Sequence, residues 1–157
     1  MNAREVGVLY RHGARRHYNY NSKVYQELSA RIVEKTAEHY GKHPAIIGWQ
    51  LDNEFNCETF EYHAEVDSIA FREFLKKKYE TLDVLNDAWG TVFWNQTYTD
   101  WNQIYVPRTV LNNGQNPHMY LDYNRFISES TISYCGMQEK KKKKYKKPED
   151  FITTNGM

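Results

Sequence analysis

Residues 45–54 read Ala45-Ile46-Ile47-Gly48-Trp49-Gln50-Leu51-Asp52-Asn53-Glu54, and the fold turns on this run. Its first seven positions are apolar almost throughout, without polar alternation. A short run of this kind suits a strand buried on both faces, as in a parallel sheet covered by helices. It ends in three polar residues, two of them carboxylates.

Upstream, Ser22 is placed to cap a helix that runs to about His39 or Tyr40, where Gly41 stops it. Val24, Leu28 and Ile32 recur at four-residue spacing and supply its apolar face. His43-Pro44 connects that helix to the strand, and residues 1–22 read as irregular and rich in Arg, His, Tyr and Asn. Downstream, a second helix starts near Asp67 and carries Phe71, Phe74 and Leu75 inward. A short third one lies around Asp83–Trp89, closed by Gly90. Residues 91–115 form a long excursion containing FWNQTYTDWNQIYVPR, and excursions of that length are usually functional or interfacial. Asn116-Pro117 opens a long helix, since proline suits the first helical position. Tyr120, Tyr123, Phe126, Ile127 and Tyr134 give it an apolar face, and Phe151-Ile152-Thr153-Thr154 reads as the next strand. The order helix, strand, excursion, long helix, strand is a slice of a βα repeat. Two strands alone leave sheet edges uncovered, so more chain or a partner belongs with them.

Composition narrows the class. The chain has 157 residues with 13 Tyr, 7 Phe and 4 Trp, which argues against disorder. Flat rings suit the apolar faces of sugars, although they fill cores just as well. A net charge of +1 gives no global field for nucleic acid or membrane. No apolar stretch approaches the roughly 20 residues needed to span a bilayer. The opening MNAREVGVLYRHGARRHYNYN lacks the apolar core of a signal peptide, so a cytoplasmic protein is expected. Cys57 and Cys135 cannot build a disulfide framework, and free thiols are the simpler reading. Lys140–Lys144 with Lys146 and Lys147 form the strongest charge feature. A nucleic-acid patch is one reading; a solvated helix end, where cations meet the helix dipole, is the preferred one.

Glu54 is the candidate for chemistry. In (β/α)8 enzymes the carboxyl ends of the strands form the active-site face. A carboxyl group at such a place can be partly desolvated, which favours its protonated form near neutral pH. It could then give a proton to a glycosidic oxygen as the bond breaks. Asn53 beside it offers an amide for a sugar hydroxyl. Alone, the tripeptide reads as a surface Asp-Asn-Glu turn; the apolar strand before it brings the active-site reading level with that one. Glycoside cleavage needs two carboxyl groups about 5–5.5 Å apart on opposite sides of the bond in retaining enzymes. Asp52 and Glu54 are two apart on one strand end, so Asp52 reads as structural, a partner for nearby Arg or backbone N–H groups. Arg15, Arg16, His17 and Tyr18 after Gly13 could bind sugar hydroxyls or hold carboxylates, or form a surface basic patch. Cys57, His63 and Glu65 lack the spacing of a zinc site, so neither metal nor cofactor is expected.

The stretch HYGKHPAIIGWQLDNEF resembles the acid/base segment of glycoside hydrolase family 42 β-galactosidases. The likeness continues in HGARRHYNYNSKVY, in AFREFLKKKYETLDVLNDAWGTVFWNQTYTDWNQI, in NPHMYLDYNRFISES and in FITTNGM, covering residues 12–157. It implies an α/β fold: part of a (β/α)8 TIM barrel, roughly strands 3 to 5 with their helices and an aromatic-rich insertion. Residues 1–157 would then be a fragment of the catalytic domain, incomplete at both ends. The implied reaction removes terminal non-reducing β-D-galactose from β-D-galactosides with retention of configuration. Glu54 would be the proton donor and Asn53 would hold the hydroxyl next to the anomeric carbon. Arg15 would contact galactose, with Arg16 taking that place if the alignment slips by one. Trp94 resembles an aromatic that family trimers lend across a subunit interface, so the parent enzyme would be a homo-oligomer. Some family members bind zinc through four cysteines; here those places carry Asn19, His63, Glu65 and Ser68. The family's nucleophilic glutamate follows a later strand, so the isolated chain is expected to be inactive. The alternatives are a non-catalytic carbohydrate-binding or assembly module using the excursion, and nucleic-acid binding through the lysines.

Overall fold

The structure, a computed structural model, describes residues 3, 8–11, 13, 17–55, 57, 58, 62–111 and 114–156. The chain divides into two units, Met1–Asn19 with Glu61–Ser128, and Tyr20–Phe60 with Glu129–Met157.

The strand unit contains helix α1 (Lys23–Tyr40), strand β1 (Gly48–Gln50), the second half of helix α4 (Pro117–Lys143) and strand β2 (Phe151–Thr153). Ser22 caps α1 as its position predicts: its side-chain oxygen accepts from the N–H of Tyr25 at 3.4 Å. Gly41 ends the helix, but not by a left-handed turn, since its φ is -59°. It is required by crowding: a Cβ there would lie 2.5 Å from the carbonyl oxygens of both Ala37 and Tyr145. β1 and β2 run parallel, with Gly48 opposite Phe151, Trp49 opposite Ile152 and Gln50 opposite Thr153. Gly48 is open because the Phe151 ring occupies the space of its missing side chain, 2.5 Å from where a Cβ would sit. Tyr20 stacks on Tyr134 at 4.5 Å between ring centroids, and Phe55 meets both edge-on.

Several expectations need correction here. The Val24, Leu28 and Ile32 stripe is not a buried face: the three are 65%, 48% and 64% exposed. Instead α1 presents Ala37, Ser29 and Tyr25 inward, with Ser29 and Tyr25 both meeting Tyr134. The strand is shorter than residues 45–51 and is not buried on both faces, since Ile47 and Gln50 are exposed while Trp49 is buried. β1 has one paired neighbour among the described residues, so its other edge carries no strand there. The described residues hold two short parallel strands and an isolated antiparallel bridge between Ala3 and Leu9. The lysine block is only partly solvated. Lys141 and Lys144 both meet Glu34, Lys142 donates to the Gln50 carbonyl, and Lys147 donates to the Ile46 carbonyl at 2.6 Å.

Among its described residues the second unit contains helix α2 (Glu65–Tyr79), helix α3 (Leu82–Trp89), the 3-10 turns Phe93–Asn95 and Trp101–Gln103, and the first half of α4. Phe71, Leu75, Leu85, Trp89, Ile104, Val106, Tyr123 and Phe126 form its core. Phe71 and Leu75 are inward as the spacing predicts, and Phe74 packs against the same core. Thr81 caps α3, accepting from the N–H of Val84 at 3.3 Å, and Gly90 ends it with φ 61°, a conformation glycine adopts without steric cost. Asn116 caps α4 ahead of Pro117, its side-chain oxygen accepting from the N–H groups of His118 and Met119. Buried Asp122 accepts from Lys78, from the Tyr79 hydroxyl at 2.6 Å, from the Trp89 indole at 3.0 Å and from Arg125 at 3.0 Å. No described helix is long and apolar enough to cross a membrane.

Candidate active site

Parallel strands finish at the same end of a sheet, so the residues just past β1 lie beside those just past β2. The ladder extends one step beyond the strands: Leu51 donates its N–H to the Thr153 carbonyl at 2.8 Å, and the Thr154 hydroxyl donates to the Leu51 carbonyl at 2.7 Å. Asp52-Asn53-Glu54 and Thr154-Asn155 therefore share the carboxyl end of the pair.

The backbone there is unusual. Asp52 has φ 52° and Glu54 has φ 48°, both in the left-handed region that non-glycine residues rarely enter. Such residues cost on the order of 1–3 kcal/mol each and persist only where surrounding bonds hold them. Those bonds are visible. The Asp52 carboxylate accepts from the Asn53 N–H at 2.8 Å and from the Gln138 amide at 3.3 Å. The Gln50 amide donates to the Asp52 carbonyl at 2.9 Å. The Asn155 side-chain oxygen accepts from the Glu54 N–H at 3.2 Å, and the Glu54 carbonyl accepts from the Cys57 N–H at 2.8 Å. Asp52 thus uses a backbone N–H as the sequence suggests, but its side-chain partner is Gln138 and not an arginine.

Glu54 is half-buried and Asn53 is exposed, adjacent at the open end of the strand. Lys142 reaches β1 from α4. Its ammonium donates to the Gln50 carbonyl at 2.9 Å and lies 4.8 Å from the Trp49 ring centroid. Burial pulls its pKa down, and the Asp52 carboxylate opposes that shift. The Cys135 thiol is pushed up by burial, then by the charges of Glu139 and Asp52; neither it nor buried Cys57 forms a disulfide among the described residues.

Of the four residues the sequence singled out, Asn53 and Glu54 come together. Arg15, with its alternative Arg16, lies outside the described residues. Trp94 belongs to the other unit. It is 71% exposed, stacks on Phe93 at 4.7 Å and also has a left-handed backbone, φ 54°. Near it in that unit is a cleft of about 340 Å³ lined by Tyr98, Tyr105, Arg108, Val110, Asn116 and Met119, with the Arg108 guanidinium over the Tyr105 ring at 4.6 Å.

Three of the residues that the resemblance sets at cysteine positions have partners of their own. Asn19 donates to Asp67 at 2.6 Å, Ser68 accepts from the Val106 N–H at 3.3 Å, and Glu65 pairs with Arg72 at 3.5 Å. Among the described residues no three His, Cys, Asp or Glu side chains gather in a way that could hold a metal ion. Sequence reasoning missed Gln50 and Asn155. The signal was available: once two strands are taken as parallel neighbours, the polar residues just past both ends must meet.

The family model for glycoside hydrolase family 42, described as β-galactosidase, matches residues 1–157. The chain belongs to the glycoside hydrolase family 42 β-galactosidases. It is 42% identical over 149 residues to the β-galactosidase BglY of Alicyclobacillus acidocaldarius, covering 94% of this chain and 21% of that protein. It is 41% identical over 135 residues to the β-galactosidase GanA of Bacillus subtilis, covering 85% of this chain and 19% of that one. Among solved structures it resembles the β-galactosidase of the Antarctic haloarchaeon Halorubrum lacusprofundi. The TM-score is 0.94 at 37% identity, over 99% of this chain and 23% of that one. The enzyme of psychrophilic Marinomonas ef1 gives a TM-score of 0.92 at 35% identity, over 98% of this chain and 24% of that chain. The chain therefore spans about a fifth of the length of the curated relatives it matches.

Proposed function

We propose that residues 1–157 form the acid/base-bearing segment of a retaining β-galactosidase barrel, near its third to fifth strands. One observation carries this reading: Glu54 stands at the carboxyl end of a strand in a parallel pair, in a strained backbone conformation that neighbouring side chains hold. Observed strain of this kind concentrates where a side chain must be aimed.

In this mechanism Glu54 enters protonated and gives its proton to the glycosidic oxygen as the bond to galactose breaks. A second carboxylate, on the opposite face of the sugar, forms the glycosyl-enzyme ester. Glu54, now ionised, takes a proton from water, which attacks the same carbon and releases galactose. Asp52 is not that second carboxylate: it stands two residues from Glu54 on one strand end, and its oxygens accept from the Asn53 N–H and from Gln138 of α4. The nucleophile is assigned to chain beyond these 157 residues, and the isolated segment is inactive. Asn53 binds the hydroxyl next to the anomeric carbon, Arg15 holds the galactose ring, and Trp94 serves a neighbouring subunit of a trimer.

Glu54→Ala in a full-length enzyme carrying this segment tests the assignment. Turnover of a galactoside with a poor leaving group falls by about 10²–10⁴, the usual share of a general acid. Unchanged turnover removes Glu54 from the mechanism. A second reading, a carbohydrate-binding or assembly module, draws on the Tyr98–Tyr105 cleft and the exposed Phe93–Trp94 stack. Galactose binding by the isolated chain, insensitive to Glu54→Gln and without hydrolysis, would favour it.

A further inference from the structure

Three side chains at the strand ends, those of Gln50, Asn53 and Asn155, form one hydrogen-bonded network with the Glu54 N–H, and backbone groups fix the direction of its bonds. The Glu54 N–H can only donate, so the atom of Asn155 that faces it at 3.2 Å is the oxygen. The same oxygen accepts from the Gln50 amide at 2.8 Å. The Asn155 nitrogen then donates to Asn53 at 3.1 Å, so the Asn53 atom turned toward it is its oxygen. Gln50 is anchored independently, because its nitrogen also donates to the Asp52 carbonyl, which can only accept. Amide orientations are ordinarily inferred from such networks; here two backbone groups set them from opposite ends.

We propose that Asn155 is a positioning residue that holds the Glu54 backbone in its left-handed conformation and turns the Asn53 amide so that its nitrogen meets the ligand. The inference rests on the β-galactosidase reading of Glu54. It adds two things: what holds the acid in place, and the polarity with which Asn53 recognises sugar. With its oxygen committed to Asn155, Asn53 acts on a sugar hydroxyl as a donor. The aim of Glu54 depends on a bond made 101 residues away in sequence. A general acid works within about 2.6–3.2 Å of its target oxygen, and misplacement by about 1 Å can cost 10²-fold.

The test uses a full-length β-galactosidase carrying this segment, with nitrophenyl and alkyl galactosides as probes. Asn155→Ala is expected to lower kcat for the alkyl galactoside by about 10–100-fold. The nitrophenyl galactoside, whose leaving group needs little protonation, loses several-fold less, and KM changes little for either. Asn155→Asp keeps an acceptor for the Glu54 N–H but cannot donate to Asn53. It retains more of the alkyl rate than the alanine variant and discriminates less against a 2-deoxygalactoside. Its added negative charge moves the alkaline limb of kcat/KM to higher pH. Deuterium exchange at the Glu54 amide, faster in Asn155→Ala than in the unaltered enzyme, reads the backbone contact directly. If the alanine variant fails to fold, Asn155→Asp carries the same comparison. Should the unaltered enzyme lack activity, or Glu54→Ala retain it, the reading of the site falls. Should both behave as expected while the Asn155 variants match the unaltered enzyme on every probe, only the role of Asn155 is overturned.

Discussion

The two units are held together differently. In the unit of α2 and α3, eight large side chains close on one another, and buried Asp122 accepts from four donors. In the strand unit the sheet is two strands of three residues, and side-chain amides and lysines hold its ends through backbone carbonyls and N–H groups. Apolar burial is non-directional and tolerates small displacement. Hydrogen bonds to fixed backbone groups do not. The second kind of construction suits a place where one carboxyl group must be aimed, and the first suits a place that must simply stay folded. Substitutions should therefore separate activity from stability according to unit.

The sharpest separation is expected at Glu54. The alanine variant that removes about 10²–10⁴ of turnover should leave the thermal midpoint of the enzyme within about 2 °C, because the half-buried side chain supports little packing. A large fall in the midpoint would show that Glu54 is structural and would erase the contrast.

Next in size is Asp122→Ala, read by denaturant unfolding of the chain. It strips the acceptor from the Trp89 indole and the Tyr79 hydroxyl, two donors left without a partner, a loss of about 2–4 kcal/mol. The pH dependence has its origin in the same contacts. Burial alone would raise the Asp122 pKa; the bonds from Lys78, Tyr79, Trp89 and Arg125 together hold it below the usual carboxylate range. A carboxylate whose pKa is lower folded than unfolded contributes stability that is complete above its unfolded value of about 3.9. That contribution is lost as pH falls toward its folded value. Unfolding midpoints should drop below about pH 4 in the unaltered chain and drop less in Asp122→Asn.

The legibility of each unit reflects the same contrast. Phe71, Leu75 and Tyr123 fall on helical spacing, Thr81 and Asn116 precede their helices, and Gly90 ends one, so the helical unit could be read from period and caps alone. The boundaries of α1 were equally clear from Ser22 and Gly41. Glu54 could be placed at a strand tip because an apolar run led up to it. The network that holds it could not be read locally, because Gln50, Asn53 and Glu54 meet Asn155 only across the parallel pairing. The role of Gly41 was hidden for the same reason: it makes room for the carbonyl of Tyr145, far along the chain.

Gly41→Ala is the third test. Its new methyl group would press on two backbone oxygens that cannot swing aside, costing about 1–3 kcal/mol. Gly48→Ala should cost less, since the obstacle there is the side-chain ring of Phe151. Equal costs would mean that the α1 terminus is as adaptable as the sheet.

The smallest effect is expected where the sequence pattern was clearest and the structure departed from it. Val24, Leu28 and Ile32 repeat as a core-facing stripe should, yet stand exposed on α1. Leu28→Gln and Ile32→Gln should each change the stability of the 157-residue chain by no more than about 0.5 kcal/mol, as for other surface positions. The barrel proposed for the full-length enzyme makes a stronger demand, because helices in such a barrel form a ring and pack on their neighbours. There the same substitutions should cost about 1.5–3 kcal/mol each, the value of burying such a side chain. A stripe that is neutral in the segment and costly in the whole would show that the repeat encodes a contact made with chain outside these residues. Neutrality in both would leave the four-residue spacing without a packing role.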